Sequence, residues 1–195
     1  MPEESQLEFR PVTAAEWDDL QTLFAELGSL QGCWCMWWRI RRADFQRQYR
    51  EGNRQALKAI IDSGQVPGIL AYRDGRPVGW CSVAPREAFP VLDRSPVLKR
   101  VDEQPVWSIV CFVVARAYRR QGLMTALIRA AVAYAASQGA RIVEAYPILP
   151  EESSDPRSLV FSGVCSAFER VGFVEVARRS RLRCIMRYVI TDGGA

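Results

Sequence analysis

The chain contains no histidine. That single absence removes Ser-His-Asp and Cys-His nucleophilic mechanisms and every histidine-containing metal site. Two phosphate-cradling signatures are also missing, Gly-x-x-x-x-Gly-Lys-Ser/Thr and Gly-x-Gly-x-x-Gly, which argues against a nucleotide hydrolase or a dinucleotide oxidoreductase. No stretch approaches the roughly 18 apolar residues of a membrane helix, and no apolar signal segment follows Met1. No run of five or six basic residues occurs. Lys plus Arg number 26 and Asp plus Glu 22, a net charge of +4 that suits a small anionic ligand but is too slight to argue for nucleic acid. The densest basic patch, Arg178-Arg179-Ser180-Arg181-Leu182-Arg183, lies on a late strand, where alternating charge reads as a solvated face.

What is present fits one globular domain over residues 1–195. The chain is 49% hydrophobic, enough for a substantial core. Six cysteines stand at 33, 35, 81, 111, 165 and 184; Cys33-x-Cys35 is short of the usual zinc spacing and no second paired motif occurs. A cytoplasmic protein with reduced thiols is the expectation.

Along the chain, 6–12 reads as a strand. Thr13-x-x-Glu16 is a capping box that opens a helix carrying Trp17, Leu20, Phe24 and Leu27 at helical spacing, with Gly28 to close it. Residues 43–63 form a second helical region, interrupted near Gly52. Strands 69–72 and 78–84 flank Arg73-Asp74-Gly75-Arg76, a hairpin turn. Residues 85–105 hold four prolines and read as a long connection, and 147–156 as a loop. A last helix spans 158–171, closed by Gly172, and strands follow at 173–177 and 183–190.

The most informative unit is 106–146. A Val-rich strand at 106–114 leads into the basic turn Arg119-Arg120-Gln121-Gly122-Leu123-Met124. A helix runs from Leu123 to about Ser137, and a second strand spans 140–146. Amides at a helix start lack intrahelical partners, and the helix dipole adds positive charge, so such a turn can hold a pyrophosphate. The competing reading is an ordinary strand-to-helix connection with solvated charges.

Arg119-x-x-Gly122-x-Met124 after a Val-rich strand resembles the acyl-CoA-binding motif of the GNAT superfamily of N-acyltransferases, Arg/Gln-x-x-Gly-x-Gly/Ala. The first two fixed positions match, and Met124 departs from the third. With the order of elements, the resemblance covers roughly residues 6–190. It implies an α/β GNAT fold, a mixed central β-sheet with splayed parallel central strands flanked by helices. It also implies acetyl-CoA as acyl donor. The pantetheine would pair with the backbone of Phe112, Val113 and Val114. The pyrophosphate would rest on the amides of Arg119, Arg120, Gln121, Gly122, Leu123, Met124 and Thr125.

For the chemistry, the family often places a glutamate base on the motif strand, and the aligned position here is Ser108. Glu144 is the better candidate, since it lies in an apolar strand on the same face as Tyr146. Its competing reading is a pair with an arginine. The family also often has a tyrosine general acid four residues before the glycine of the last helix. That position is Phe168, which cannot donate a proton. Cys165, Tyr146 and Cys35 are other candidate donors. Gly32 to Arg39 falls where the family lines its acceptor pocket, so Cys35, Trp37 and Trp38 are candidate pocket residues, against the reading that the tryptophans only fill space under a loop.

The expected function is transfer of an acetyl group from acetyl-CoA to a primary amine by direct attack. The acceptor is a small-molecule or protein amine, with no nucleic acid, no membrane and no metal, and a homodimer is compatible with the resemblance. The alternative is an acyl-CoA-binding sensor whose catalytic groups are lost, as Ser108 and Phe168 suggest. A cysteine-based redox or metal module on Cys33 and Cys35 is a third reading.

Overall fold

A computed structural model describes residues 7–27, 32–149 and 159–191. The chain builds β1 (Leu7–Pro11), α1 (Trp17–Ala25), α2 (Arg42–Arg47), α3 (Glu51–Asp62), β2 (Gly68–Arg73), β3 (Arg76–Pro85), α4 (Pro90–Arg94), β4 (Trp107–Val114), α5 (Leu123–Ser137), β5 (Ile142–Ala145), α6 (Leu159–Ser162), α7 (Cys165–Glu169), β6 (Val174–Ala177) and β7 (Ile185–Val189). The strands form a seven-stranded sheet in the order β1-β2-β3-β4-β5-β7-β6. β4 and β5 pair in parallel, joined through α5, and the other pairs are antiparallel. This is the expected mixed α/β architecture.

Local chemistry explains the elements that position the site. Thr13 and Glu16 exchange side-chain and backbone hydrogen bonds, the capping box that starts the first helical segment. α1 then buries Trp17, Leu20, Leu23 and Phe24 on one face. β2, β3 and β4 are buried along nearly their whole lengths, because helices cover both faces of the sheet. Two cores result. One, on the α1–α3 face, includes Leu20, Phe24, Leu57, Trp80 and Tyr146. The other, on the α5 face, includes Phe112, Leu127, Ile128, Ala131 and Phe168.

The central strands part early. β4 and β5 pair only from Trp107–Ile109 against Val143–Ala145. Beyond Ile109, no described strand pairs with that edge of β4. At the same point β4 carries a bulge: Ser82 faces Cys111 and Val83 faces Ile109, which leaves Val110 extra. Val110 and Cys111 consequently both turn to the α1–α3 face.

Some boundaries differ from expectation. The helix over 43–63 splits at 48–50, where Arg50 adopts φ 73°, slightly before Gly52. The last helix divides into α6 and α7 at Gly163, whose φ is 77° and where a Cβ would lie 2.8 Å from the Phe168 ring. The connection over 85–105 contains α4. Gln6, Gly28, residues 150–156 and Ser158 lie outside the described residues. Among the described residues no helix is long and apolar enough to cross a membrane.

Candidate active site

Two cavities flank the C-terminal half of β4. The first opens at the basic turn, with a volume of about 560 Å³, lined by Val114, Arg119, Arg120, Gly122 to Thr125 and Arg170. Gly122 caps α5 with φ 79°, and Arg120 precedes it at φ 61°. A Cβ built on Gly122 would meet nothing within 4 Å, so the turn leaves open space above its backbone. The amides of Leu123, Met124 and Thr125 begin the helix and have no carbonyl one turn earlier to bond. The Arg119 Nε donates to the Val114 carbonyl at 3.1 Å, which ties the turn to the end of β4. Gln121 donates to the Ala117 carbonyl and accepts from Arg73, bracing the turn from outside. Arg119, Arg120 and Arg170 surround the cavity without a carboxylate in ion-pair range among the described residues. Open backbone amides, a helix N-terminus and uncompensated guanidinium groups fit a pyrophosphate. The unpaired edge of β4 at Phe112, Val113 and Val114 fits an amide-bearing arm such as pantetheine.

The second cavity, of about 300 Å³, lies on the α1–α3 face at the bulge. Its walls include Phe24, Trp37, Trp38, Phe45, Val110, Cys111 and Val113, with Cys33, Cys35 and Arg183. The aromatic segment before α2 thus divides its work. Trp34 packs against Phe24 at 4.9 Å and Trp17 at 5.8 Å, and serves the core. Trp37 and Trp38 face the cavity.

Cys35 sits at φ 52° beside Trp34 at φ 47°, backbone that large L-residues seldom adopt. This aims its sulfur at two partners. It donates to the Cys111 sulfur at 3.1 Å and accepts from the Trp80 indole nitrogen at 3.2 Å. The hydrogen bond with Cys111 holds the Cys35 thiol below its ordinary pKa. Burial opposes this shift, and Trp80 and the nearby Arg39 reinforce it. Cys111 is raised for the complementary reason. Burial pushes Cys33 up to about 12, so it stays a thiol at neutral pH.

Glu144 and Tyr146 are brought together but line neither cavity. Glu144 accepts from Arg86 at 3.1 Å, from Arg187 at 2.8 Å and from Tyr146 at 2.8 Å, and it is 1% exposed. The arginine pairing weighed from the sequence is therefore the one found, and it is double. Tyr146 also touches Ser108 at 2.8 Å and accepts from Arg86 at 2.7 Å. Burial, then the Glu144 charge, holds the Tyr146 phenol well above its ordinary value. The network locks β4 to β5 just before they part. Phe168 is fully buried between Phe112 and Phe173, and Cys165 contacts Cys184 at 3.5 Å, lining neither cavity. No group of three or more metal-ligating side chains occurs among the described residues.

Sequence reasoning missed Val110, Cys111 and Arg183. A bulge leaves no signature in one strand alone. Arg183 belongs to a basic run that reads as a solvated face, yet it is half-buried against Trp38.

The profile of the acetyltransferase (GNAT) family matches residues 34–155. The chain belongs to the GNAT acetyltransferase family. No curated protein sequence matches it significantly. Among solved structures, a GNAT acetyltransferase from Streptococcus agalactiae is similar over 95% of this chain and 96% of its own, with 12% identity and a TM-score of 0.58. The PaiA N-acetyltransferase from Thermoplasma acidophilum, in complex with coenzyme A, is 12% identical over 95% of this chain and 99% of its own, with a TM-score of 0.54. The aminoglycoside N-acetyltransferase AAC(6')-Iy, in complex with CoA, is 15% identical over 91% and 94%, with a TM-score of 0.55. At these identities the likeness is one of fold.

Proposed function

We propose that the protein is an N-acetyltransferase that moves the acetyl group of acetyl-CoA to a primary amine. The observation that carries this is the position of β4, which lines the apolar cavity with Val110, Cys111 and Val113 and the cavity at the basic turn with Val114. The turn at 119–125 holds the pyrophosphate, with Arg119 and Arg120 supplying charge. The edge of β4 at 112–114, which no described strand pairs, guides the pantetheine arm. The thioester then lies by the bulge at Val110 and Cys111, and the amine enters through the apolar cavity past Trp37 and Trp38.

In the reaction the neutral amine nitrogen bonds to the thioester carbonyl carbon and the C–S bond breaks. The nitrogen's surplus proton passes to solvent, the CoA thiolate takes a proton from a nearby acid, and solvent reprotonates that acid. Cys35 is the donor we assign to that thiolate, since it faces the cavity and sits in a hydrogen-bonded thiol pair. Glu144 and Tyr146 are positioning residues, which hold the point where β4 and β5 diverge. Six unbridged cysteines suit a cytoplasmic, reducing setting.

A second reading has one specific observation behind it: no carboxylate lines either cavity among the described residues. On that reading the protein binds acyl-CoA without turning it over. A thiol-release assay with acetyl-CoA and a panel of amines separates the two. Amine-dependent release of CoA supports the transferase, and tight CoA binding with no amine-dependent release supports the sensor.

A further inference from the structure

Arg183 is the one charged side chain among the described residues lining the apolar cavity. It precedes β7 and is held in place from three sides. Its Nη1 donates to the Tyr146 carbonyl at 2.9 Å and to the Ser162 hydroxyl at 3.2 Å, and its guanidinium lies over the Trp38 ring at 5.5 Å. Those contacts occupy one nitrogen of a five-donor fork. No carboxylate among the described residues lies in ion-pair range of it. Its remaining nitrogens are not sealed inside protein, because none is a buried, unbonded atom. Burial lowers its pKa and no anion offsets that cost.

We propose that the acceptor is an apolar α-amino acid whose carboxylate is bound by Arg183. This rests on the acyltransferase reading above. The planar fork matches a carboxylate with two parallel hydrogen bonds. Phe24, Trp37 and Phe45 offer an apolar wall for the side chain, and Val110 and Cys111 line the same cavity, where the amine would meet the thioester. The cavity of about 300 Å³ matches a small metabolite. The same features reject polycationic amines, which would meet an uncompensated cation and find no acid to pair with.

The test compares L-phenylalanine, phenethylamine and spermidine as acceptors with acetyl-CoA. Phenethylamine is phenylalanine without its carboxylate. Amine binding is also read directly, by tryptophan fluorescence, so that the outcome does not depend on turnover. Phenylalanine should exceed phenethylamine in kcat/KM by about 10- to 100-fold, the worth of a charge-assisted pair. Arg183→Gln should collapse that ratio through KM for phenylalanine, and Arg183→Lys should restore part of it. Equal or better use of phenethylamine or spermidine overturns the proposal, as does an unchanged ratio in Arg183→Gln. Failure of phenylalanine to bind overturns it as well. Calorimetry with acetyl-CoA on the same samples keeps two failures apart. If acetyl-CoA does not bind, the acyltransferase reading falls. If it binds and the carboxylate confers no advantage, only the acceptor assignment falls.

Discussion

Arg86 and Glu144 form an ion pair of 3.1 Å in which both side chains are 1% exposed. Arg86 continues to Asp93 at 2.8 Å and to the Leu98 carbonyl at 2.8 Å, while Glu144 continues to Arg187. One chain of charges thus fastens the connection after β3, the β4–β5 junction and β7 to one another. Removing one member leaves buried charge unpaired. Glu144→Ala should lower stability by about 3 kcal/mol, and the melting temperature by roughly 10 °C. If Glu144 is a positioning residue, Glu144→Gln keeps the shape of the pH–rate profile. Loss of the acidic limb in that variant would make it the base.

Asp102 extends the same chain to the surface. Hydrogen bonds from Arg187, then from the Gln104 amide, hold its pKa at about 2. A lowered folded-state pKa gives stability that is complete above the unfolded value of about 3.9 and is lost as pH falls through the folded one. The melting temperature should therefore drop between roughly pH 4 and pH 2, and drop less in Asp102→Asn. Equal drops in the two proteins would show that the pair contributes nothing.

Phe168 stands where the family often has tyrosine, but its ring is packed inside apolar neighbours. A hydroxyl there would have no partner. Phe168→Tyr should cost about 1–3 kcal/mol and leave turnover no higher, as read by melting and thiol release. A gain in turnover would mean that the ring reaches the reacting thioester.

Cys35 should react with iodoacetamide in preference to Cys33, whose pKa is pushed up to about 12. Acetyl-CoA should protect it, and Cys35→Ala should reduce kcat by about 10- to 100-fold with CoA affinity kept. Labelling that ignores the cofactor, with unchanged turnover, would reduce the residue to packing.

The sequence was most readable where local chemistry acts alone. The Thr13 capping box, the turn at Asp74-Gly75 and the helix from Leu123 to Ser137 all lie where their residues put them. Parting of β4 from β5 followed from the family resemblance. Features made by distant partners were hidden. The Val110 bulge depends on register against β3. The burial of Arg183 depends on Trp38 and Tyr146, and that of Glu144 on two arginines far away in sequence. Trp34, Trp37 and Trp38 could not be divided between core and cavity until the left-handed turn at Trp34 and Cys35 set their directions.

The central claim is that the turn at 119–125 binds the pyrophosphate of acetyl-CoA, and calorimetry of wild type against Gly122→Val tests it most directly. At φ 79° a β-branched residue strains the turn by roughly 1–2 kcal/mol and fills the open space above the backbone. The wild type should bind acetyl-CoA measurably and the variant should lose at least about tenfold in affinity while still folded by circular dichroism. Equal affinity in the two proteins, or no binding by the wild type, would contradict the claim.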